Sequence, residues 1–130
     1  VGIRYVKAAN LAARAVGLDH APTRLLMTMS ATVLDHPGRH KEPPGRYFAG
    51  RIAMAMALGY GQHDPEDANT QAAHRAVDRS LRAIREANLL TVARMASNHR
   101  NAEYDLSPVL WFERHLLDRE NSPMPVDKPA

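Results

Sequence analysis

The sequence predicts a mainly α-helical fold with one small β-hairpin in its last third. Three observations predict it. Apolar residues recur every three or four positions through most of the chain, the spacing that lines one face of a helix. Glycine and proline clusters interrupt these runs. Over residues 89–106 the period changes to two on either side of a polar centre, the pattern of paired strands.

The elements follow in order. Residues 3–16 place Val6, Ala9, Ala13 and Val16 on one helical face, and Gly17 stands where a helix end favours glycine. Asp19 is a cap for a second helix, which tolerates Pro22 in its first turn, turns Leu26, Met29 and Val33 inward and runs to about Leu34. Asp35-His36-Pro37-Gly38 breaks it, and a polar loop continues through Pro43-Pro44-Gly45. A third helix is predicted over 47–58, stopping at Gly59; its run of Ile52, Ala53, Met54, Met56 and Leu58 lets it pack closely, with the Met residues as core filler. Residues 60–69 read as a polar loop. Asn69 or Thr70 caps a fourth helix running to about Ala87, whose inward stripe is Ala73, Val77, Leu81 and Ile84. Asn88 suits the left-handed turn that ends many helices. Residues 89–94 and 102–106 form the two strands of the hairpin. Ser107-Pro108 is an N-cap and first-turn pair for a last helix carrying Val109, Leu110, Phe112, Leu116 and Leu117.

Composition narrows the function classes. The chain has 130 residues, 45% of them hydrophobic, which fits one globular domain of common size. It has no cysteine, so a disulfide scaffold and a thiolate metal site are excluded and a reducing compartment fits. No run approaches the roughly 20 apolar residues that cross a bilayer, and no signal-peptide pattern opens the chain. The expected location is cytoplasmic, with the nucleoid. Charge is unevenly spread. Residues 71–101 hold six arginines against Asp78 and Glu86, more than the net charge of +3 of the whole chain. Such a segment suits a polyanionic partner, or else a solvated helix face laced with ion pairs such as Asp78 with Arg82.

Val77, Arg79, Leu81, Ile84, Asn88, Leu89 and Leu90 precede the polar turn 94–100 and then Tyr104-Asp105-Leu106. These residues resemble the winged helix–turn–helix family, whose second half reads V-x-R-x-L-x-x-L-x-x-x-G-L-I, then a wing, then a strand ending in Y-x-L. Asn88 stands where the family has glycine. Tyr47-Phe48-Ala49-Gly50 and residues 55–59 look like the first helix of the motif. The chain is also similar to small helix–turn–helix proteins of actinobacterial plasmids, prophages and phages. The resemblance covers about 23–106. It implies a winged helix–turn–helix with extra N-terminal and C-terminal helices, the helix–turn–helix over 47–87 and the wing over 89–106; chain length gives one domain over 1–120, and Pro123, Pro125 and Pro129 mark a disordered tail over 121–130. It implies sequence-specific binding of duplex DNA, as a transcriptional regulator or a replication-type protein of a phage, prophage or plasmid. The connection over 60–69 is longer than the motif's usual turn. It is either a tolerated insertion or a further contact.

Within that reading the helix over 70–87 enters the major groove. Gln71, Ala72, His74 and Arg75 fall near bases, Asp78 shares the same face, and Arg79 and Arg82 fall near phosphates. The amides at the start of the helix also favour a phosphate. The wing tip carries Arg94, Asn98, His99, Arg100 and Asn101, which track phosphates or enter the minor groove, or else merely solubilise a turn. The alternative is a winged-helix module that binds protein and no DNA, since fold does not fix function.

Other chemistry is poorly supported. His36 and His40 are four apart but separated by Pro37-Gly38, and His63 has no neighbouring ligand pair, so no metal is expected. There is no cysteine nucleophile, no G-x-S-x-G elbow and no phosphate-binding glycine loop. No enzymatic activity and no cofactor are expected. Arg4, Lys7 and Arg14 read as a solvated face. The last helix is apolar on more than one side: it packs on the domain's own core, or it forms a homodimer through Trp111, Phe112 and Leu116.

Overall fold

The computed structural model describes residues 3–33, 43–97 and 101–121, the side chains of 118–121 excepted. Among the described residues the order is α1 (Ile3–Val16), α2 (His20–Thr32), β1 (Arg46–Tyr47), α3 (Arg51–Ala57), a short 3₁₀ helix (Pro65–Asn69), α4 (Gln71–Glu86), β2 (Thr91–Arg94), β3 (Glu103–Asp105) and α5 (Ser107–Asn121). The mainly helical fold with a small β element is borne out. The sheet has a third strand beyond the expected hairpin: the order is β1-β3-β2, antiparallel throughout.

α1 keeps its predicted bounds and buries Ala9 and Ala13 as expected, but its inward face is shifted away from Val6 and Val16. Tyr5, Ala8, Ala9, Ala12 and Ala13 are buried, while Val16 is exposed and Val6 is half-buried. The four alanines let α1 lie close against α2 and α5. α2 buries Leu25, Leu26 and Met29, as its period requires, and Val33 just beyond its end. The breaker over Asp35–Gly38 falls outside the described residues.

The segment at 46–57 departs most from expectation. Tyr47 does not begin a helix. It lies in β1 opposite Tyr104 of β3, almost fully buried, with its hydroxyl donating to the Gly50 carbonyl at 3.4 Å. A large ring with one polar tip is best satisfied by a dry cross-strand neighbour and a nearby carbonyl. Gly50 then turns the chain into α3 with φ +95° and ψ 174°, a conformation open essentially to glycine alone. α3 buries Met54 and Ala55, but Ile52 and Met56 face solvent, and Met56 is not core filler.

The connection over 60–69 is not a plain loop. The Asp64 carboxylate accepts from the Glu66 amide at 3.1 Å, Pro65 opens a 3₁₀ turn, and Ala68 is fully buried beneath it. That anchor holds the segment between α3 and α4. At the far end of the chain, Ser107 is not the cap of α5 but its first residue. Asp105 does the capping, accepting from the Ser107 amide at 2.9 Å and from its hydroxyl at 2.6 Å.

Candidate nucleic-acid interface

α4 is the most sharply two-sided helix of the fold. Ala73, Val77, Ser80, Leu81 and Ile84 are buried, which contains the whole predicted stripe. Thr70 caps it: the hydroxyl accepts from the Ala73 amide at 3.2 Å and donates to the Asp67 carbonyl at 2.9 Å. Asn88 closes the far end with φ +61°, the left-handed turn expected of it.

The opposite face carries Gln71, Arg75, Asp78, Arg79, Arg82, Arg85 and, in the last turn, Glu86, all exposed. Arg75, Arg79, Arg82 and Arg85 make no ion pair or hydrogen bond among the described residues. The expected alternative, a face laced with pairs such as Asp78 with Arg82, is therefore not what forms. Asp78 pairs instead with Arg51 at the start of α3, at 2.6 Å.

Arg51 had no signal in the sequence, yet it organises this face. Its Nε donates to Nδ1 of His74 at 3.2 Å, and one terminal nitrogen donates both to the His74 carbonyl at 3.0 Å and to Asp78 Oδ1. A donor on Nδ1 leaves the His74 proton on Nε2, which meets Asn69 Oδ1 at 3.1 Å. His74 is thus half-buried and engaged on both ring nitrogens, and Asp78 is held on one oxygen. Gln71 remains open to solvent at the helix start.

The hairpin stands beside α4. Arg94 of β2 pairs with Glu103 of β3 at 2.7 Å, and Arg46 of β1 reaches the same carboxylate at 3.6 Å. Arg94 therefore ties the sheet together rather than standing free at a tip. Asn101 donates to the Phe48 carbonyl at 3.2 Å, pinning the hairpin to the turn before α3. Asn98, His99 and Arg100 lie outside the described residues. Between α4 and the hairpin run two adjoining concavities of about 730 and 330 Å³, which share Arg51, Arg85, Met95 and Tyr104. Burial pushes the Tyr104 phenol above its ordinary range, against the opposing pull of Arg51 and Arg85.

Charge is graded along this surface. Asp64, Glu66 and Asp67 are exposed just ahead of α4, where negative charge favours the helix dipole but repels a phosphate. The unpaired arginines begin one turn later. Positive potential is thus centred on the middle and C-terminal turns of α4, next to the hairpin, rather than on its first amides.

On α5 Trp111 is well exposed and stacks on His115, with ring centroids 3.7 Å apart, whereas Phe112 and Leu116 are half-buried. Phe112 packs against the core. Arg4, Lys7 and Arg14 are exposed on α1. Among the described residues no helix is long and apolar enough to cross a membrane. No protein-family model, no curated protein and no solved structure matches the chain.

Proposed function

We propose that the protein is a winged helix–turn–helix that binds duplex DNA, with α4 as the recognition helix and β2–β3 as the wing. The observation that carries this reading is the row Arg75, Arg79, Arg82 and Arg85: four exposed guanidiniums without an acidic partner among the described residues, on a helix whose other face is locked into the core. Leaving four like charges close together is costly unless a polyanion completes them. An α-helix presented this way matches the width of the major groove. The order α2, α3, α4, hairpin supports the same reading, as do the residues that resemble the family. The work of such a protein is regulatory or replicative.

The test is fluorescence anisotropy with a random-sequence duplex at low and at moderate salt. The expected outcome is binding that weakens steeply as salt rises. Absent or salt-insensitive binding overturns the reading. In that event the exposed Trp111 and Leu117 of α5 favour a protein-binding module instead. A homodimer through the same helix would suit palindromic half-sites, and sedimentation at micromolar concentration tests it.

A further inference from the structure

The acid on the cationic face of α4 calls for a physical account. Asp78 is the only acid in the first three turns of α4 and sits among Arg75, Arg79 and Arg82. A carboxylate there weakens the attraction for phosphates, so on a phosphate-binding surface it is a liability. It is nevertheless held in place with unusual care. Its Oδ1 takes Arg51 at 2.6 Å, Arg51 is fixed in turn by the ring and the carbonyl of His74, and His74 is fixed by Asn69. The side chain remains 57% exposed, and Oδ2 has no partner among the described residues.

We propose that Asp78 is a base-reading residue: Arg51 fixes its carboxylate so that Oδ2 accepts a hydrogen bond from the N4 amino group of cytosine in the major groove. This rests on the duplex-binding reading of α4. A carboxylate is acceptor-only, so it must face a donor. Cytosine offers the N4 amino group there, whereas guanine presents two acceptors and thymine an acceptor and a methyl group. Adenine offers N6, but N7 beside it is an acceptor that faces a carboxylate unfavourably. Arg51 is then a positioning residue. It orients Asp78 and offsets its charge, so that the acid contributes base choice without cancelling the arginines beside it.

Selection from a random duplex library, run with the wild-type chain and with Asp78→Asn, Asp78→Ala and Arg51→Lys, tests this, with circular dichroism checking that each variant keeps its helix content. The wild type is expected to enrich cytosine at one position, by about tenfold over other bases. Asp78→Asn, nearly identical in shape, should move that position to adenine, because an amide matches N6 and N7 together. Asp78→Ala should flatten that position and leave the rest of the motif intact. Arg51→Lys keeps the charge but not the fork and should lower the same preference several-fold. Unchanged base frequencies in folded, DNA-binding Asp78 variants would reduce the Arg51–Asp78 contact to a helix-packing ion pair and overturn the proposal. A wild-type chain that binds no duplex at all overturns the underlying reading, and the two failures are therefore distinct.

Discussion

Arg75, Arg79, Arg82 and Arg85 differ from Arg46, Arg51 and Arg94 in one respect: no acid among the described residues holds them. Removing one should leave the fold intact and change only what the surface attracts. Arg79→Ala is expected to weaken duplex binding to a similar degree across sequences and to reduce the slope of log affinity against log salt by about 1. A change in base preference with unaltered overall affinity would contradict its assignment to phosphate. Gly50 presents the opposite case, a residue without a side chain on which the geometry depends: its carbonyl takes the Tyr47 hydroxyl and the Met54 amide. With φ +95° it cannot accept a side chain without strain, and a Cβ would lie 2.8 Å from the Asn101 amide that pins the hairpin. Gly50→Ala should cost about 1–3 kcal/mol in urea denaturation and release the hairpin from the turn before α3.

At the scale of elements, the sheet is held by charge and by a pair of tyrosines. Glu103 receives Arg46 from one side and Arg94 from the other, so one carboxylate bridges all three strands. The Nε atoms of both arginines are buried without a partner among the described residues, which makes that carboxylate harder to lose. Glu103→Ala is expected to cost about 1–3 kcal/mol, read by chemical denaturation. Tyr47, beneath the sheet, is pushed up to about 12 by burial first and by Tyr104 second. The sign follows from proton binding. Unfolded chains ionise Tyr47 near pH 10 while the folded chain keeps its proton, so its contribution is complete below pH 10 and is lost as pH rises toward about 12. Melting temperatures measured from pH 9 to 12 should therefore fall across that window, and Tyr47→Phe should fall less steeply. The cap of α4 is a smaller matter: Thr70→Ala should cost about 1 kcal/mol.

For the whole molecule, what was legible in the sequence depended on how local the information was. α4 announced itself because its stripe, its Thr70 cap and its Asn88 terminus all lie within one stretch of chain. The hairpin was legible for the same reason. β1 was not, because two residues carry no period and Tyr47 reads equally well as the start of a helix. On α1 the period points to Ala9 and Ala13 but not to the rest of the inward face, because alanines give little contrast and Tyr5, which packs against the tight turn at Gly45, outweighs Val6 and Val16. The Arg51 network joins residues 23 and 27 positions apart, and no sequence pattern brings those together. The arginine row was visible as composition, but only the fold separates the four unpaired members from Arg94, which the sheet consumes.

If α4 is a recognition helix, Arg75, expected near bases, moves with Arg79, Arg82 and Arg85 into one exposed row, and all four face a duplex backbone. The most direct test of that claim is the affinity for a random-sequence duplex, followed by anisotropy over a salt series. Four neutralised phosphates predict a slope of log affinity against log salt near about −3.6, falling toward zero as Arg75, Arg79, Arg82 and Arg85 are replaced in turn. A flat salt dependence, or a slope untouched by those replacements, would contradict the claim.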